Sequence, residues 1–163
     1  MRIRDTLDYA ATPERVFAML SDQAFQERKA AATGALSHSV SITTRGADTV
    51  IVSKRAMPTD QLPDFVKSFV GKELHLTETS TWGAAAADGS RQGRLTVTVG
   101  GAPIALDASL SLAPLGQGSR ELVEGELKAK VPLLGGKIEQ AAAPAIEAAI
   151  NVERTTGADW LAG

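Results

Sequence analysis

The sequence predicts an α+β fold: a curved antiparallel sheet wrapped around one long C-terminal helix, with two short helices after the first strand. Three observations predict it. Apolar and polar residues alternate with period two through most of residues 34–131, the mark of half-buried strands. Glycine-bearing turns separate successive runs, and short linkers make consecutive strands antiparallel neighbours. A stripe of helical period then runs from about Gly136 to Thr156 and supplies the cover that a one-sided apolar sheet requires.

The elements follow in order. Residues 2–9 alternate, with Ile3, Leu7 and Tyr9 on one side and Arg2, Arg4, Thr6 and Asp8 on the other. Asp5 interrupts the apolar side, so it belongs at a rim or inside a cavity. Thr12-Pro13-Glu14 opens a helix: the threonine caps, the proline takes a first-turn position that needs no amide hydrogen, and the glutamate favours the positive end. Val16, Phe17 and Leu20 form its stripe, and a second helix from Ser21-Asp22 reaches Ala32 before Thr33-Gly34 breaks it. Leu36, His38, Val40 and Ile42 share one face of the next strand, and Thr49 to Ala56 returns beside it. After an interruption at 57–71 come strands at Glu73–Trp82, Arg94–Val99, Ile104–Leu112 and Glu121–Val131. In the final helix Ile138, Ala142, Ala145, Ala149 and Val152 make the stripe, with Glu139, Glu147 and Glu153 off it. At ~1.5 Å per residue the helix is roughly 30 Å long, enough to cross the sheet. Pro144 lies inside it and predicts a kink.

The interruption has its own pattern. Pro63 and Asp64 start a short helix that Gly71 ends, with Phe65, Val66, Phe69 and Val70 on one side. Two of the four phenylalanines fall in this segment, which plugs or gates the open end of a cavity.

Composition excludes several functions. The chain has 163 residues, a length that suits a single domain over 1–163. It has no cysteine, so disulfides, thiolate nucleophiles and thiolate metal sites are ruled out. The formal net charge is -2 and the 17 basic residues are scattered, which gives no footprint for nucleic acid. The charged opening Met1-Arg2-Ile3-Arg4-Asp5 is unlike a signal peptide, and no run is long enough to span a membrane. A cytoplasmic protein without stable membrane insertion is expected; no protein partner is indicated.

Neither a nucleophile elbow, a phosphate loop nor a paired-histidine metal motif occurs, so no catalytic residue, metal or cofactor is expected. His75 shares the solvent side with Glu73 and Thr77; His38 has the parity of the apolar face. His38 is either a satisfied neutral core histidine or a contact to a ligand. With Asp5 and Tyr9 it makes a polar set able to orient the head group of a greasy molecule. Ala141, Ala142, Ala145 and Ala149 are short where a packed grip uses leucine, which leaves either close backbone approach or open space.

Two segments carry a family resemblance. Ala11-Thr12-Pro13-Glu14-Arg15-Val16-Phe17 resembles the opening helix of the START-like superfamily, the helix-grip proteins that include birch-pollen-allergen-like proteins, lipid-transfer domains and polyketide cyclases. Val131-Pro132-Leu133-Leu134-Gly135-Gly136-Lys137-Ile138-Glu139 resembles its junction into the final helix. Within the superfamily the chain is most similar to a group of small bacterial proteins, domain of unknown function 2505. The resemblance implies the helix-grip fold and an apolar small-molecule ligand of lipid, polyketide or isoprenoid type. Its binding residues are expected among Tyr9, His38, Leu76, Val97, Leu106, Phe69, Ala145 and Ala149. The alternatives are a cyclase- or hydrolase-like enzyme using His38, Asp5 and Tyr9, and a protein-interaction module with a filled core.

Overall fold

The computed structural model describes residues 1–163. In chain order the elements are β1 (Arg2–Tyr9), α1 (Pro13–Leu20), α2 (Gln23–Ala32), β2 (Ser37–Arg45), β3 (Asp48–Pro58), α3 (Asp64–Val70), β4 (Glu73–Trp82), β5 (Arg91–Val99), β6 (Ile104–Leu115), β7 (Gly118–Ala129) and α4 (Gly135–Ala162). One seven-stranded antiparallel sheet has the order β1-β7-β6-β5-β4-β3-β2. Strands β2 to β7 are therefore a meander, and β1 closes on the last strand with Arg2 opposite Glu126 and Tyr9 opposite Ser119.

Local chemistry sets the ends. Thr12 accepts the amide of Arg15 at the start of α1, and Asp22 accepts those of Ala24 and Phe25 at the start of α2. The β6–β7 hairpin runs further than the alternation predicts, to Leu115 opposite Gly118, because Gly116 takes the left-handed conformation of the tight turn. Helix α4 likewise continues past Thr156 to Ala162. It passes through Gly157, where a side chain would stand 2.8 Å from Tyr9 Cε1 and 3.2 Å from Met19 Cε. That glycine serves close approach and does not end the helix. Strand β7 stops at Ala129, short of Val131, and the amide of Ala129 donates to Glu139 Oε1 of α4. Just beyond, Leu133 is fully exposed and takes a left-handed φ of 65°.

Two apolar clusters fill the grip. The first joins Leu7, Tyr9, Val16, Met19, Phe25, Trp82, Leu110 and Leu112, with Ile150, Trp160 and Leu161 of α4 against it. Trp82 lies edge-on to Phe17 at 6.4 Å, and Trp160 edge-on to Phe25 at 5.5 Å. The second cluster, Ile104, Leu106, Leu127, Ala129 and Ile138, sits nearer the start of α4, with Phe65, Phe69, Val97 and Ile146 against it. Each fully buried large apolar side chain contributes about 1.5–3 kcal/mol, so the first cluster is the firmer anchor.

Helix α4 packs on β7, β1, α1 and α2. Its buried residues are Ile138 near one end and Thr156 and Gly157 toward the other. No residue between them is buried, although Ala142, Ile146, Ala149 and Ile150 are half-buried. Away from the buried Trp82, inward residues of β4 and β5 are half-buried too, among them Leu74, Leu76, Leu95, Val97 and Val99. The helix is pinned at its ends and loosely seated in its middle.

Candidate functional site

Alternate residues of neighbouring strands stand side by side on the inward face. One row runs Ser53, Glu78, Val97, Leu106 and Leu127, and the next runs His38, Arg55, Leu76 and Val99. An apolar floor thus carries charged residues at its β3–β4 end. Helices α2 and α4 add two more charges above it, and the four form one connected set.

Lys29 Nζ on α2 lies 2.9 Å from Glu153 Oε2 on α4 and 3.2 Å from Glu78 Oε1 on β4. Glu78 Oε2 accepts from Arg55 Nη2 at 2.8 Å. The Tyr9 hydroxyl donates to Glu153 Oε1 at 3.4 Å. Burial disfavours charge on Lys29, but Glu153 and Glu78 outweigh it and hold the ammonium above its usual range. Burial likewise opposes charge on Glu78, and Lys29 and Arg55 overcome it, leaving that carboxylate below its usual range. The pairs meet the condition for buried ions, since opposite charges and hydrogen bonds replace the lost water. Two atoms fall outside this arrangement. Arg55 Nε is buried with no partner, and so is Glu121 Oε2.

Glu121 lies on β7 between Leu7 and Leu112 and is 3% exposed. Burial first, then the charge of Glu153 and a hydrogen bond with it, raise its pKa well above the carboxylate range. Burial and the charges of Glu153 and Glu121 also push the Tyr9 hydroxyl far up. The interior thus sets two carboxyl groups, Glu121 and Glu153, beside the Tyr9 phenol.

The residues expected from the sequence are distributed as follows. Leu106 is buried, while Leu76, Val97, Phe69 and Ala149 are half-buried along the floor, α3 and α4. Tyr9 is buried in the first cluster and reaches the polar set through Glu153. His38, expected to face a cavity, is instead exposed. It keeps the inward parity opposite Arg55, but β2 is the last strand of the sheet and this end of it is uncovered. Ala145, expected on the buried stripe, is also exposed. The packed face of α4 is centred on Ile138, Ala142, Ile146, Glu153 and Gly157, so Ala145 falls to its side and Glu153, expected outside, turns in. Asp5 pairs with Arg154 of α4 at 3.2 Å. Asp5 and Tyr9 lie on β1 and His38 on β2, the two opposite edges of the sheet, so the polar trio does not assemble.

Sequence reasoning missed Lys29, Arg55, Glu78, Glu121 and Glu153. The signal was present in part: Arg55 shares the parity of Ile51 and Ser53, and Glu78 that of Leu76 and Trp82. His75 is exposed, 3.5 Å from Glu73. No group of three His, Asp or Glu residues converges as a metal site, and no helix is long and apolar enough to cross a membrane. A hollow of about 980 Å³ lies on the outer face of β5–β7. Its Arg2 pairs with Glu124 and its Arg94 with Asp107, so charges that balance one another line this solvated trough.

The comparisons with known proteins bear on the fold. Among solved structures, the chain is similar to a protein from Thermus thermophilus at 17% identity and TM-score 0.62, with 96% of this chain and 97% of that one covered. It is similar to the Zhui aromatase/cyclase from Streptomyces sp. R1128 at 10% identity and TM-score 0.59, covering 98% and 92%. A START superfamily protein from Mycobacterium smegmatis aligns at 12% identity and TM-score 0.57, covering 98% of both chains. At such identities the likeness is one of fold. No curated protein matches the sequence. Residues 5–161 match the family described as protein of unknown function DUF2505, so this chain, with its START-like fold, belongs to that family.

Proposed function

We propose that the protein binds and carries a hydrophobic small molecule, of lipid, polyketide or isoprenoid type, between the middle of α4 and the floor formed by β4, β5 and β6. The observation that carries this reading is the seating of α4: nothing between Ile138 and Thr156 is buried, and, while the inward row of β6 is buried, Leu76, Leu95, Val97 and Val99 of β4 and β5 stay half-buried. A filled interior is close-packed and would bury them. Leu76, Val97, Leu106, Phe69 and Ala149 wall the space in this reading. His38 and Ala145 lie at its open margin, and Tyr9 steadies the polar end through Glu153. The polar set at one end of a greasy surface follows the usual plan of a small-molecule site. A START-like fold goes with the same ligand class.

The test begins with native mass spectrometry of freshly purified protein, looking for an apolar passenger. Ala149→Leu should then reduce uptake of a fluorescent fatty acid while leaving the unfolding midpoint nearly unchanged. Destabilisation of about 1–3 kcal/mol in that variant, with no uptake by the parent, identifies a filled core and sinks the carrier reading. A filled core would favour the interaction module.

A second reading, acid–base catalysis of the cyclase kind, is favoured by one feature, the carboxyl pair Glu121 and Glu153 beside Tyr9. Such pairs divide acid and base roles where a substrate can reach them. Glu121 is closed off by Leu7 and Leu112, so the carrier reading stands ahead of it.

A further inference from the structure

We propose that the molecule carried here bears a neutral oxygen acceptor, a ketone or ester carbonyl, that takes the Nε–H of Arg55. The inference rests on the carrier reading and adds the chemistry of the passenger. Arg55 is 8% exposed, and its Nη2 is committed to Glu78. Its Nε has no acceptor and no contact with water. A buried donor on a charged group left unpaired keeps its full desolvation penalty, and native structures seldom tolerate this without a reason. Arg55 is also well placed. It stands beside Leu76, and Leu76 beside Val99, in the half-buried part of the floor. A chain lying along these residues passes the guanidinium.

Charge balance selects the kind of acceptor. Lys29 and Arg55 are matched by Glu78 and Glu153, and Arg154 by Asp5. Glu121 adds no charge while it keeps its proton. A fatty carboxylate would bring a negative charge into this set with no cation left to meet it, and an uncompensated buried ion is strongly disfavoured. A carbonyl satisfies Nε and leaves the balance intact.

The experiment compares three probes of equal chain length, methyl undecyl ketone, tridecane and tridecanoic acid, by displacement of a fluorescent dye. The wild type should bind the ketone roughly tenfold or more tightly than tridecane, as one charge-assisted hydrogen bond allows. It should bind the acid less well than the ketone. Arg55→Lys keeps the positive charge beside Glu78 but lacks Nε, and should erase the ketone's advantage with tridecane binding unchanged. Should that variant not fold, the Arg55 Nε–H resonance of the wild type decides, since it should shift with ketone and stay put with tridecane. Equal affinities for ketone and tridecane, tighter binding of the acid, or an unmoved resonance overturns the inference and leaves the carrier reading standing. If none of the three probes binds, the carrier reading itself falls and takes this one with it.

Discussion

Glu121 occupies an inward position that a strand pattern usually gives to leucine, and its effect on stability has a definite sign. Below its ordinary value of 4.5 both folded and unfolded chains hold the proton. Between that value and the raised one the unfolded chain has ionised and the folded chain has not, so stability falls as pH rises. Each unit of the interval is worth about 1.4 kcal/mol. Glu121→Gln should therefore flatten the fall of the urea midpoint with pH above the carboxylate range, and gain on the parent most at the alkaline end. An unchanged pH profile would mean that Glu121 is ionised in the fold. The same residue shows what the sequence withholds. Parity gives the face of Arg55, Glu78 and Glu121 correctly, but a charge in a strand pattern reads as a sign of water. A set of ions that balance one another is legible only once α2 and α4 are placed over the sheet. His38 fails in the opposite way, since parity fixes which side a residue faces and says nothing of whether anything covers it.

The elements themselves are legible throughout, because each rests on local chemistry: caps at Thr12 and Asp22, glycines in the turns, period two in the strands. Ends move where a contact from elsewhere decides them, as at Gly157 under Tyr9 and Met19. The phase of α4 departs from its pattern for a related reason. Counting alanines puts Ala145 on the stripe, whereas Lys29 draws Glu153 inward and turns the packed face toward Ile146. Helix α3 has the bounds and the phenylalanine pair that its sequence predicts, within one residue. Thr59 Oγ1 donates to Lys72 O at 2.9 Å across the base of the excursion, and Gly71 ends the helix with a positive φ. Val66 is buried, while Phe65 and Phe69 are half-buried against the second cluster. We propose that the helix acts as a lid, swinging on the clamped base. Phe69→Ser should speed release of a bound dye severalfold while circular dichroism shows the sheet intact. Hydrogen exchange across 60–71 should slow when ligand is added. If this segment is the best-protected part of the free protein, it is core and the lid idea fails.

At the scale of the whole molecule, the grip has one firm end and one open end. Around the first cluster, β1, α1, α2 and the last turns of α4 close tightly, and Lys29 ties α2, β4 and α4 together just inside. Towards the start of α4 the sheet, the lid helix and the helix middle surround a looser interior. That asymmetry is not visible in the sequence, where the apolar rows of all strands look alike, because it depends on where α4 lies across them. It also decides what light can report. The protein's two tryptophans, Trp82 and Trp160, both stand at the firm end, each edge-on to a phenylalanine. A molecule settling over Leu76 and Val97 leaves both indoles in the surroundings they already have. Intrinsic fluorescence should therefore redden when the fold melts yet hardly change as the interior fills, so a titration followed at the indole band would score a genuine binder as inert. A large change in that band on adding ligand would place the ligand against the first cluster, or show that filling the open end shifts α4 as far as Trp160.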